Sequence, residues 1–151
     1  METISIDTKF DIENLIYRKL REYLTEKSRF ITNPTKQIFS KAPKQLADFP
    51  TIVFKETNNA DEVRYRSLDR LQQVNQITDT IEIYTQDITI DGVRYASKTV
   101  MSELKYLVFD FFEMLGATRI DCSPAEYSDH QVDRLVIVER YLQNNWNRKI
   151  D

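Results

Sequence analysis

Apolar residues recur at intervals of three and four from Phe10 to Leu24, at Ile12, Leu15, Ile16, Leu20, Tyr23 and Leu24. That spacing lines them along one stripe of an α-helix, with Glu13, Arg18, Lys19, Arg21 and Glu22 mostly elsewhere. The helix is predicted to end near Lys27. Thr8 followed by Asp11 gives a weak capping-box-like start, and Asp7, Asp11 and Glu13 suit the positive end of the helix dipole. A second and longer stripe, Ala96, Val100, Leu104, Leu107, Val108, Phe111 and Leu115, predicts a helix from about Tyr95 to Leu115. Gly116 falls at its C′ position, where a left-handed backbone favours glycine. Tyr106, Phe109 and Phe112 lie off the main stripe. Two readings of these rings stay open: a partner surface, or rings covered by another part of the same chain.

Period-two alternation marks the strands. In Gln76–Gln86, Ile77, Ile81 and Ile83 share one side with Asp79, while Thr78, Thr80, Glu82 and Tyr84 share the other, as a half-buried strand requires. Thr51–Glu56, β-branched and aromatic, is a shorter strand entered from Pro50. Thr118–Cys122 and Val132–Leu142 are two closing strands, separated by a turn containing Pro124 and Asp129. The last strand is apolar on both faces, with Val132, Val136 and Val138 on one and Leu135, Ile137 and Tyr141 on the other, so a central position is expected. Residues 33–50, with Pro34, Pro43 and Pro50, read as an extended connection. Residues 57–73 are polar and charged and read as a loop, a protruding hairpin or a short helix. Asp91-Gly92 marks a turn, and 144–151 a short C-terminal tail. The fold class is α/β (α+β): two main helices on a mixed, largely antiparallel sheet of about four to five strands, in the order α-β-β-α-β-β, as a single domain over 1–151.

Composition narrows the chemistry. A net charge of −3 opposes a broad nucleic-acid footprint, although Lys36, Lys41, Lys44 and Lys55 make a local basic segment. Two glycines cannot build a phosphate-binding loop. The N-terminus lacks a positive start followed by an apolar core, so no secretory signal is expected, and no apolar run reaches a membrane span. A cytoplasmic protein, or one assembled there, is expected; the single Cys122 suits a reducing compartment. His130 sits in a turn without an orienting partner, and Cys122 has no neighbour at metal-ligand spacing, so it reads as a small buried strand residue. Asp48 with Glu56, or Asp79 with Glu82, are the carboxylate pairs that could hold Mg²⁺ against a phosphate. Against a nuclease, Val53-Phe-Lys-Glu reverses the usual Glu-x-Lys order. No catalytic residue, cofactor or metal is expected.

One resemblance covers nearly the whole chain. The opening amphipathic helix, Phe49-Pro50-Thr51-Ile52-Val53-Phe54-Lys55-Glu56, a polar excursion, Thr80-Ile81-Glu82-Ile83-Tyr84, and a helix carrying Lys98, Val100, Met101, Leu104 and Phe111 resemble the tail terminator (tail completion) proteins of long-tailed bacteriophages and related contractile tail-like particles. The resemblance implies a small non-enzymatic α/β protomer that assembles as a homo-oligomeric ring, typically a hexamer, on the last ring of the tail tube. Such a ring stops polymerisation and presents a surface to the neck or head–tail connector protein. It resides in the virion tail after assembly in the host cytoplasm, with no membrane contact and DNA only as cargo passing through. A closing ring needs two different complementary surfaces on each protomer. Tyr106, Phe109, Phe112 and Trp146 are the candidate aromatic anchors, and Arg64, Arg66 and Arg70 of the charged excursion the candidate polar contacts. The competing readings are a head–tail connector or neck protein, a metal-dependent nuclease, and a small nucleic-acid-binding module.

Overall fold

The computed structural model describes the backbone of residues 9–61 and 72–146, and the side chains of 15–55 and 76–142. Ten elements follow in chain order: α1 (Lys9–Lys27), α2 (Pro34–Gln37), β1 (Ile38–Phe39), β2 (Thr51–Asp61), β3 (Gln72–Thr85), β4 (Ile88–Ile90), β5 (Val93–Tyr95), α3 (Ser97–Met114), β6 (Thr118–Ala125) and β7 (Asp133–Trp146). Five strands form one mixed sheet in the order β1-β2-β3-β7-β6. Only the short β1 is parallel to its neighbour; the remaining pairs are antiparallel. The α+β class, the two main helices and the central place of the last strand all follow the sequence pattern.

Both long helices lie on one face of the sheet. On α1, Ile16, Leu20 and Leu24 are buried at four-residue spacing, and Tyr17 meets Phe54 of β2 with ring centroids 6.0 Å apart. On α3, Val100, Leu104 and Val108 are fully enclosed above Ile81, Ile83 and Ile137, each contributing about 1.5–3 kcal/mol of apolar burial. Tyr23 and Phe111 bring the helices together at 5.7 Å. The end of α3 is a Schellman motif: Ala117 N–H donates to Phe112 C=O, Gly116 N–H donates to Glu113 C=O, and Gly116 has φ +72°.

Four boundaries differ from the sequence expectation, and the reading left open for residues 57–73 is narrowed. Residues 33–50 are not wholly extended, because Pro34 opens the one-turn helix α2, where its missing N–H removes no helical hydrogen bond. The excursion after Glu56 takes the hairpin form: β2 and β3 pair as far as Asp61 and Asn75, past an irregularity between Glu56 and Asn58. The stretch 144–146 belongs to β7, which stays paired with β3 out to Trp146 and Gln72. The helix α3 starts two residues late, because Val93–Tyr95 pairs with Ile88–Ile90 across Asp91-Gly92, both with positive φ, a two-residue turn whose twist matches a hairpin. Pro124 lies in β6, not in a turn; an edge strand tolerates proline because one row of its backbone groups faces outward. No helix among the described residues is long and apolar enough to cross a membrane.

Candidate functional site

Strand alternation sorts the ionisable residues onto two faces. On the helix-covered face, Asp79 and Glu139 are direct cross-strand partners and both are buried. Tyr141 Oη–H donates to Asp79 Oδ2 at 2.7 Å, and Arg119 Nε–H donates to Glu139 Oε2 at 3.2 Å. Burial pushes the Glu139 carboxyl above its ordinary value, and Arg119 offsets only part of that rise. On the opposite face, Glu82 receives Arg134 Nη2 at 2.6 Å and Tyr84 Oη at 3.0 Å, with Lys55 Nζ 3.6 Å away. Burial would raise the Glu82 carboxyl, but the hydrogen bonds from Arg134 and Tyr84, with the charges of Arg134 and Lys55, hold it below its ordinary value. Burial and the bond to Glu82 push Tyr84 up to about 12.

This sorting separates one carboxylate pair that the sequence left open. Asp79 and Glu82 are three residues apart on a strand and therefore point to opposite faces of the sheet. Asp48 is exposed, and the side chain of Glu56 lies outside the described set. No group of three His, Cys, Asp or Glu among the described residues is arranged to hold a metal. His130 is exposed. Cys122 is half-buried against the core on β6, and burial raises its thiol pKa, the reverse of an activated cysteine.

The candidate aromatic anchors divide. Tyr106 is 56% exposed and packs edge-on to Phe109 at 5.8 Å. Lys105 Nζ sits 4.6 Å from the Tyr106 ring centroid, and the Arg119 guanidinium carbon 3.3 Å from that of Phe109. Cations on the ring faces steady the exposed Tyr106 and the half-buried Phe109. Phe112 is different: it is fully buried, edge-on to Phe111 at 5.2 Å and near Tyr141 of β7. As a surface anchor Phe112 is therefore corrected to a core residue; it continues the four-residue ladder Val100, Leu104, Val108, a signal already present in the sequence. Trp146 is placed by its backbone at the end of β7, and its side chain is outside the described set, as are Arg64, Arg66 and Arg70.

Beside this aromatic strip runs a feature with no advance signal in the sequence. A cleft of about 520 Å³ separates the first half of α3 from the β6–β7 connection. The helix contributes Lys98, Met101 and Lys105 to its lining, and the connection and the start of β7 contribute His130, Val132 and Leu135 together with Glu126, Asp129 and Asp133. The two walls are far apart in sequence, which is why periodicity alone could not reveal the cleft. Searches against family models and against curated proteins find no match to this chain.

Proposed function

We propose that this chain is the protomer of a ring that ends a phage-type tail tube and presents a surface to the neck, acting through contacts and not through catalysis. The observation that carries the reading is the placement of the two most characteristic segments. Thr51–Phe54 and Ile81–Tyr84 lie side by side as antiparallel partners, Thr51 opposite Tyr84 and Phe54 opposite Ile81, beneath the helices α1 and α3. A helix-on-sheet fold is what the resemblance implies of a ring protomer, and this placement supports the reading.

Two features supply the surfaces a ring uses. Tyr106, an exposed amphipathic ring of the kind that anchors protein interfaces, stands beside the half-buried Phe109, and the two are steadied by Lys105 and Arg119. The ladder of β3 and β7 continues five residue pairs beyond Ile77 and Tyr141, from Gln76–Leu142 to Gln72–Trp146, a regular paired ribbon that reaches toward a neighbour or the tube.

The test is tail-tube assembly with tube protein in the presence and absence of this chain, read as tube length by negative-stain microscopy, with its mass in solution measured alongside. Tubes of limited length ending in a ring of this protein are expected. Unchanged tube lengths, with a protein that never joins tube ends, would refute the reading. A connector would instead join capsids to tubes already closed. Magnesium-dependent DNA cleavage lost in Asp79→Ala would favour the nuclease reading.

A further inference from the structure

Three charged residues stand in register across adjoining strands on the helix-covered face of the sheet. Asp79 of β3 is the direct partner of Glu139 on β7, and Glu139 is in turn the direct partner of Arg119 on the edge strand β6. Glu139 is 1% exposed and Asp79 fully buried, whereas the Arg119 side chain is 38% exposed. A buried glutamate on a central strand thus has its ion-pair partner at the rim of the sheet. Arg119 also has a mechanical place. The ladder of β6 and β7 is irregular between Arg119 and Asp121, so Thr118 and Arg119 are the two β6 residues paired beyond the irregularity. They follow directly on the Schellman motif at the end of α3, and the Arg119 guanidinium carbon lies 3.3 Å from the Phe109 ring centroid. One side chain therefore ties the start of β6 both to the central strand and to α3.

Each element packed around Glu139 contributes identifiable groups. From β6, Arg119 Nε–H donates to Glu139 Oε2 at 3.2 Å. From β3, Asp79 faces it while accepting from Tyr141 Oη–H at 2.7 Å. Glu56 lies one strand further, the register partner of Asp79 on β2, with its side chain outside the described set. From α3 the nearby groups are aromatic, Phe109 against Arg119 and Phe112 against Tyr141, and the helix acids Asp110 and Glu113 are exposed. Burial holds the Glu139 carboxyl above its ordinary value against the pull of Arg119. A second carboxylate directly opposite on a paired strand also resists joint ionisation.

We propose that Glu139 and Arg119 form a proton-operated clasp at the start of β6, closed while Glu139 is ionised and loosened when mild acid protonates it. The proton removes the charge and leaves a neutral hydrogen bond about half as strong. The fold itself is not what the proton weakens. A raised folded pKa means that the folded state binds more protons, so the contribution of Glu139 to stability is present below the unfolded value of about 4.3 and is lost as pH rises through the folded value. Global stability and the clasp therefore respond to acid with opposite signs. The opposite face of the sheet supplies an internal comparison. There the burial of Glu82 is outweighed by Arg134 and Tyr84, which hold it below its ordinary value, so the Arg134–Glu82 pair stays closed over the same range. The clasp is a property of the protomer and does not depend on the ring.

The test is an NMR titration of the full chain, isotope-labelled at glutamate carboxyls and arginine side chains, from about pH 8 to about pH 4. The Glu139 carboxyl should titrate with a midpoint above about 4.3. Through that midpoint the protection of Arg119 Nε–H against exchange, relative to free arginine at the same pH, should fall about fivefold. Arg134 should keep its protection there. Glu139→Gln, which cannot ionise, should show the low Arg119 protection at every pH, and Arg119→Gln should move the Glu139 midpoint further up. Urea unfolding over the same range should show the parent chain losing stability relative to Glu139→Gln as pH rises. A Glu139 midpoint at or below about 4.3, Arg119 protection that does not change through the midpoint, or an equal loss at Arg134 would each overturn the clasp. All three are read in the parent chain, so the answer stands even where a variant fails to fold.

Discussion

Gln37 is buried on the one-turn helix α2, and its side-chain amide makes four hydrogen bonds. Its Oε1 accepts from Thr32 N–H at 2.8 Å and Asn33 N–H at 2.7 Å, while Nε2 donates to Phe30 C=O at 3.0 Å and Pro50 C=O at 3.3 Å. All the bonding capacity of one amide is used, and it ties the end of the α1–α2 connection to the entry of β2. Gln37→Leu keeps the volume and removes every bond. The Phe30 and Pro50 carbonyls are enclosed, so each unsatisfied group costs about 1–3 kcal/mol. Thr32 and Asn33 are exposed, so their N–H groups regain water and together add about 1 kcal/mol. The sum, about 3–7 kcal/mol, corresponds to a fall in Tm of roughly 6–28 °C for a domain of this size.

Gln37→Glu supplies a sharper control. A carboxylate still accepts from Thr32 and Asn33 but faces two carbonyl oxygens, so its folded pKa must rise above the unfolded value of about 4.3. The folded state then binds more protons, and the variant loses stability as pH rises from about 4 to 7 relative to the parent chain. Urea unfolding at several pH values, followed by circular dichroism, measures both effects. A loss below about 1 kcal/mol in Gln37→Leu, or a Gln37→Glu penalty independent of pH, would refute the hydrogen-bond account.

Other substitutions probe the remaining parts. In the parent chain Glu82 is held below its ordinary pKa, so its contribution is present above about pH 4.3 and is lost as pH falls through the folded value. Arg134→Met leaves burial dominant, raises the folded pKa and reverses the sign of that contribution; urea midpoints should show a loss of about 1–3 kcal/mol near pH 7 that shrinks toward pH 4, and an unshrinking loss would count against it. Gly92 has φ +80° with open space around its Cβ position, so Gly92→Ala should cost about 1 kcal/mol through backbone strain and Gly92→Asn distinctly less, read from Tm. Phe112→Ala should cost about 3–5 kcal/mol because it empties a fully enclosed site. Tyr106→Ser, at a 56% exposed position, should change stability by no more than about 0.5 kcal/mol while weakening association with tube ends; a large Tm loss with intact association would reverse the roles assigned to the two rings.

The chain's local chemistry determined α1, the stripe of α3 and the glycine at its end, because a helix stripe and a Schellman motif depend on residues within a few positions of one another. The alternation in Ile77–Tyr84 and the two apolar faces of Val132–Leu142 likewise marked strands, and the second pattern anticipated the central place of β7. The hairpin β4–β5 was legible in part: Asp91-Gly92 identified the turn, and the flanking Ile-Thr-Ile and Val-Arg-Tyr carry its alternation.

Tertiary structure decided what depends on residues far apart in sequence. Gln37 carries no local sign of its role, since two of its partners are backbone oxygens set in place by the approach of Phe30 and Pro50. Pro124 could occupy a strand only because β7 inserts between β3 and β6 and leaves β6 at the edge. Phe112 extends the four-residue ladder Val100, Leu104, Val108 that the sequence carries, and Tyr141 of β7 packs near it, whereas Tyr106, on the same helix, is 56% exposed. The cleft forms where α3 diverges from the β6–β7 connection. Neighbours along the chain set periodicity and turns; which apolar or charged groups then lose water is set by which distant segments pack over them.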